Sequence, residues 1–174
     1  RQTRIPCTAA ELFTWHTRPG ALERLTPPWE DVRIVTPGPI AEGAIVTLEI
    51  RVAGVPMRWV ARHRDEVPGR QFVDEQVSGP FASWVHSRRM TPAGPDACDL
   101  DERVEFVPPF GAAGALARPA IERQVRRMLA YRHATLQDDI ALHARLAAPR
   151  LRVAITGASG LIGGALALLL STGG

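Results

Sequence analysis

Between Asp31 and Phe106 apolar and polar side chains alternate with period two, the spacing that places every second residue on one face of a strand. Val46, Leu48, Ile50 and Val52 alternate with Thr47, Glu49 and Arg51. Met57, Trp59, Ala61 and His63 alternate with Arg58, Arg62 and Arg64. Trp84, His86, Arg88 and Met90 share one face, and Leu100, Val104 and Phe106 share another with Glu102. Gly and Pro punctuate these runs at Pro37-Gly38-Pro39, Ala53-Gly54, Pro68-Gly69, Gly79-Pro80 and Pro92 to Pro95, so the pattern predicts an antiparallel meander.

The flanks are helical. Thr8-Ala9-Ala10-Glu11 has the form of a capping box, which predicts a helix from Ala9 to Arg18; Pro19-Gly20 interrupts it and Ala21 to Leu25 form a further turn. After Pro108-Pro109 a long helix is expected from near Pro119, proline being tolerated at the first helical position. Ile121, Val125, Met128, Leu136 and Ile140 recur on one of its faces, with Leu129 beside them, and about 28 residues without a breaker give roughly 40 Å of helix. Ala147-Ala148-Pro149 reads as a linker. Beyond it, Leu151 to Thr156 reads as a buried strand, followed by a glycine loop and an apolar helix. The fold class is therefore α+β, with a domain at 1–148 and a truncated βα unit at 149–174. Beginning with Arg1 and ending in Ser-Thr-Gly-Gly, the chain looks cut at both ends.

Composition narrows the function classes. All twenty-one basic residues are Arg, offset by eighteen acidic ones for a net charge of +3, and none forms a basic run, so nucleic acid is not an expected partner. Cys7 and Cys98 stand at unrelated positions without metal-ligand spacing, which points to no metal, no disulfide framework and a reducing, cytoplasmic setting. The apolar stretch Leu161 to Leu170 is about half a membrane span. His16, His133 and His143 lie on predicted helices without metal spacing and read as surface or packing residues; Arg58, Arg62 and Arg64 read as a solvated face, or less readily as a dock for an acidic partner.

The order of elements, with Glu11-Leu12-Phe13-Thr14-Trp15-His16, Pro19 to Trp29, and Gly79-Pro80-Phe81 before Trp84-Val85-His86, resembles the START-like (SRPBCC) helix-grip superfamily. That resemblance covers about residues 1–147. It implies a curved antiparallel sheet wrapped around the long C-terminal helix, a first strand ending near Arg1 to Pro6, and a cavity for a lipid, polyketide-like or other small hydrophobic ligand. Polar residues on otherwise apolar faces fit such a cavity, which needs a few placed polar groups among apolar walls. The candidate lining is Trp59, His63, Trp84, His86, Arg88, Glu102 and Met128. The bland reading is a structural ion pair, Arg88 with Glu102, among core aromatics. No catalytic residue is fixed; His86, oriented by Glu102 or beside Arg88, would be the base of a cyclase- or hydrolase-type alternative, and a protein-interaction module is the other.

In the last segment, Thr156-Gly157-Ala158-Ser159-Gly160-Leu161-Ile162-Gly163 follows a strand and opens a helix, the context in which glycines allow a tight turn, close approach to a pyrophosphate and close helix packing. The Thr-Gly-x-x-Gly-x-x-Gly spacing resembles short-chain dehydrogenases and epimerases. Behind a START-like domain it resembles a sugar-epimerase-like, cell-division-inhibitor-like family, and the resemblance implies that Gly157, Gly160 and Gly163 would meet the phosphates of NAD or NADP in a longer parent. This chain lacks the Tyr-x-x-x-Lys pair of that group: it has no Lys, and its one tyrosine is Tyr131. No cofactor is expected in the fragment itself. Its expected partners are a hydrophobic ligand, the remainder of the nucleotide-binding domain, and other copies of itself through the unpartnered βα piece.

Overall fold

The computed structural model describes residues 1–52, 54–146 and 152–173. Seven antiparallel strands form one sheet in the order β1-β7-β6-β5-β4-β3-β2: β1 (Gln2–Ile5), β2 (Val32–Thr36), β3 (Ile45–Val52), β4 (Val55–Val67), β5 (Gln71–Ser78), β6 (Ser83–Pro92) and β7 (Cys98–Val107). From β2 to β7 the strands follow one another as the alternation predicts, and β1 closes the order by pairing Gln2 with Asp101 and Ile5 with Cys98. The thirteen-residue β4 is irregular at Val60/Ala61 and again between Arg64 and Val67, where Asp65 takes a positive φ of 52°. Aspartate tolerates that conformation better than most side chains, and such irregularities bend a strand.

Helices α1 (Ala9–Thr17) and α2 (Ala21–Arg24) follow β1, and α3 (Gly111–Ala115) and α4 (Arg118–Arg145) follow β7. The capping box at α1 is formed: the Glu11 amide donates to Thr8 Oγ1 at 3.2 Å and the Thr8 amide donates to Glu11 Oε2 at 2.8 Å. Thr8→Ala removes an acceptor for one orphan amide, and a loss of about 1 kcal/mol in urea unfolding is expected; an unchanged midpoint would show that α1 is held by its buried face alone. The 28-residue α4 begins one residue before Pro119 and lies along β1 and β7, where Gln137 donates to the Arg4 carbonyl at 3.0 Å. Arg24 of α2 grips Asp139 of α4 through two 2.7 Å hydrogen bonds, and Trp29 packs edge-on against Tyr131.

The sheet face turned toward α1 and α4 is layered by register. Met90 opposite Leu100, with Ile5, Leu12, Trp15 and Leu136, forms the apolar core. Two residues along each strand, Arg88 stands opposite Glu102; further on, Trp84 stands opposite Phe106. Cys7 and Cys98, distant in sequence, are both free thiols and both buried in the same apolar core.

Of the predicted βα unit only the helix forms, as α5 (Leu161–Gly173). Arg152 to Ile155 lie in no strand and are largely exposed, because a parallel strand needs neighbours that these residues lack. Leu151 and the expected linker and boundary at 147–149 fall outside the described residues. Helix α5 packs on α2 and α4, and its last carbonyls are taken by cationic or imidazole groups: Arg18 Nη1 donates to Thr172 O at 2.6 Å and His143 Nε2 to Leu169 O at 3.0 Å. Its opening residues, Leu161 and Ile162, stay 89% and 82% exposed. No helix among the described residues is long and apolar enough to cross a membrane.

Candidate functional site

Strand alternation delivers the polar layer. Because Trp84, His86, Arg88 and Met90 share one face of β6, and Phe72 and Asp74 share the same face of β5, the register sets Asp74 opposite His86 and Phe72 opposite Arg88. On β4, His63 stands opposite Asp74.

The contacts form one chain of charge. Arg88 Nη1 donates to Asp74 Oδ2 at 2.5 Å, its Nη2 lies 3.0 Å from His86 Nδ1, and its Nε lies 3.4 Å from Glu102 Oε1. His86 Nε2 lies 3.2 Å from Glu102 Oε2, and His63 Nδ1 lies 2.6 Å from Asp74 Oδ1. Guanidinium has only donors, so His86 Nδ1 must accept from Arg88; the ring proton then sits on Nε2 and is donated to Glu102. Burial, then the charge of Arg88, pushes the His86 pKa down to about 4, consistent with that neutral ring. Burial would raise Glu102, but His86, Arg88 and Arg132 outweigh it and hold its carboxyl well below the usual range. Asp74 is likewise lowered, by Arg88 and His63 against the opposing effect of burial.

From the helix side, α4 adds Arg132 and His133, and α1 adds His16, all buried. His133 Nε2 lies 3.9 Å from Glu102 Oε2. His16 donates from Nδ1 to the Leu12 carbonyl at 2.8 Å and packs edge-on against Phe72; burial lowers its pKa to about 4.

Beyond the ionic layer Trp59, Phe81, Trp84 and Phe106 form an aromatic cluster, with Trp59 and Trp84 edge-to-face at 5.1 Å and Phe81 to Trp84 at 4.8 Å. Beside it an open cleft of about 620 Å³ runs between β7 and the N-terminal half of α4. Eight of its twelve lining residues are charged, buried Glu102 among them; Val104, Phe106, Val125 and Leu129 are the apolar four, and Arg118 lies across Phe106.

Residues 5–131 match the family of polyketide cyclases/dehydrases and lipid-transport proteins. The chain belongs to that family. Members and relatives of solved structure carry the same fold. A Streptomyces aromatase/cyclase matches 87% of this chain and 96% of its own at 18% identity, with a TM-score of 0.67. A START superfamily protein from Mycobacterium smegmatis matches 82% and 95% at 14% identity, with a TM-score of 0.56. The nucleoside-diphosphate sugar epimerase from Corynebacterium glutamicum matches 99% of this chain at 28% identity and a TM-score of 0.75, and the chain spans only 36% of that protein. No curated protein matches the sequence.

For this polyketide cyclase/lipid-transport family chain, the seven expected lining residues separate into groups. His63, His86, Arg88 and Glu102 share the ionic network; Trp59 and Trp84 belong to the aromatic cluster; Met128 is half-buried on α4 next to Leu129. Only Glu102 among them lines the β7–α4 cleft. His16 and His133, expected as surface or packing groups, are both buried rather than at the surface: His16 packs edge-on against Phe72, and His133 sets Nε2 3.9 Å from Glu102. Asp74 and Arg132 were not singled out from sequence. Arg132 had a signal: it sits four residues after Met128 and four before Leu136, on the helical face already identified. Arg62 and Arg64, on the opposite sheet face, both reach Glu75 at 3.2 Å, which neutralises part of that stripe. No group of three or more metal-ligating side chains occurs among the described residues.

Proposed function

We propose that the domain binds a small hydrophobic molecule, lipid or polyketide-like, against the aromatic cluster and the buried polar layer, as the accessory domain of a longer NAD(P)-dependent epimerase- or reductase-like protein. The aromatic cluster carries the reading: Trp59, Phe81, Trp84 and Phe106 lie beside the buried layer of Arg88, Glu102, His86 and Asp74, and an apolar wall next to a few placed polar groups is what a small-ligand site requires. Family membership points the same way.

Catalysis through His86 finds less support. Nδ1 accepts from Arg88 and Nε2 donates to Glu102, so neither nitrogen is free to take a substrate proton. The parent's nucleotide chemistry rests on the glycine loop. Gly157 adopts a φ of +71°, and a Cβ on Gly163 would come within 2.3 Å of the Gly157 carbonyl, so both positions require glycine. The loop folds tightly against the N-terminus of α5, as a pyrophosphate cradle requires. The fit extends to phosphate only: Gly157, Gly160 and Gly163 would hold that part of NAD or NADP, whose nicotinamide would supply hydride transfer in the parent, while this chain offers no Tyr-x-x-x-Lys pair.

Native mass spectrometry of the purified chain, followed by solvent extraction, tests the binding reading. A stoichiometric apolar molecule, or saturable uptake from a panel of fatty acids, sterols and aromatic polyketides, is expected. A clean unliganded mass with no uptake would sink it in favour of an interaction module.

A further inference from the structure

Most of the domain separates Cys7 from Cys98 in sequence, and the fold brings them back together. Ile5 of β1 stands directly opposite Cys98 of β7, a pairing that sets Cα atoms about 4.5–5.5 Å apart and within the span a disulfide bridges. The chain then bends at Pro6: the Cys7 amide donates to the Ile5 carbonyl at 3.0 Å, so Cys7 folds back beside Ile5 instead of running on along β7. Both thiols enter the apolar core with Ile5, Met90 and Leu100, Cys7 at 9% and Cys98 at 0% exposure. Each is the largest influence on the other's ionisation: the Cys98 thiol and then burial raise Cys7, while Cys7 lowers Cys98.

These surroundings do not suit a cysteine nucleophile that attacks a substrate. Such a thiolate is sustained by a cation, a protonated histidine or a metal, whereas here burial and the Glu11 carboxylate both oppose a charge on either sulfur. An uncharged S–S bond, by contrast, is at home among Ile5, Met90 and Leu100. Burial also shields the sulfurs from the higher oxidation states that exposed thiols reach.

We propose that Cys7 and Cys98 are a modification site, a thiol pair that a low-molecular-weight disulfide converts reversibly into an intrachain disulfide, clasping β1 and the start of α1 to β7. The chemistry is two successive exchanges. Cys7, the less buried of the two, attacks one sulfur of the small disulfide, forming a mixed disulfide and releasing one small thiol; Cys98 then attacks the Cys7 sulfur and releases the second. Two S–H bonds and one S–S bond are lost, the protons leave on the two small thiols, and the protein gains one S–S bond. The ring it closes holds about 90 residues and takes in β2 to β6, a length at which a crosslink removes much of the unfolded chain's freedom.

The test incubates the reduced, folded chain with hydroxyethyl disulfide, then unfolds it in urea and alkylates whatever thiols remain. The intact mass is expected to show a monomer lighter by two hydrogens and free of alkyl groups, a digest to yield the Cys7 peptide joined to the Cys98 peptide, and dithiothreitol to reverse both. Cys7→Ser and Cys98→Ser should each keep one thiol, free or capped by the probe, and give no joined peptide. Two alkylated thiols in the wild type, caps on both sulfurs, or a linked dimer as the sole oxidised product overturns the proposal. Urea unfolding gives a second reading: the joined form should have an unfolding constant about 100-fold below that of the reduced form. Equal midpoints would mean that the link strains the fold as much as it restrains the unfolded chain, and the clasp would be rejected.

Discussion

Replacing Glu102 with Leu is expected to cost about 3–5 kcal/mol in urea-induced unfolding, the range for removing one partner of a buried ion pair. Glu102 is fully buried, and its two oxygens face His86 Nε2 and Arg88 Nε. The leucine variant leaves His86 with an orphan donor and two arginines facing one remaining carboxylate, Asp74. Glu102→Gln keeps an acceptor for His86 and loses only the charge, so it should cost clearly less than the leucine. Equal losses for the two variants would show that volume, not charge, is what the site requires.

Acid should weaken the fold in two stages. His16 and His86 both have pKa values lowered to about 4 from an ordinary 6.5, mainly by burial. As pH falls from about 6.5 the unfolded chain takes up protons that the folded one refuses, and stability drops until both states are protonated near pH 4. Each histidine contributes on the order of 3 kcal/mol across that window. Asp74 and Glu102 are shifted the same way from carboxylate values, so their stabilisation is intact above about pH 4 and is lost as pH falls further. Urea midpoints measured between about pH 7.5 and 4.5 should decline steadily, and the decline should be shallower in His16→Asn. A flat profile over that range would contradict the neutral, buried state of both rings.

The framework was legible where local chemistry is decisive. Thr8 and Glu11 announce a helix start by pairing with each other's backbone amides, and the period-two runs of β3, β4, β6 and β7 fix which side chains share a face. The 28-residue α4 was equally clear from its unbroken spacing. What escaped depends on register. Asp74 lies in Gln71–Ser78, where Phe72 and Val73 are adjacent and Val77 stands apart, so no alternation reveals its face. Only pairing with both His63 and His86 makes it interior. Cys7 and Cys98 look unrelated until Ile5 is set opposite Cys98. The strand expected before the glycine loop failed for the converse reason: its apolar pattern suits a sheet that these residues do not join.

The pairing of β1 with β7, Gln2 with Asp101 and Ile5 with Cys98, joins the two ends of the meander. Contacts so distant along the chain meet the cost of loop closure before they bring any gain, so β1 is expected to dock after the hairpins between β3 and β7 have formed. A chain leaving the ribosome therefore carries β1 without its partner until β7 has been synthesised.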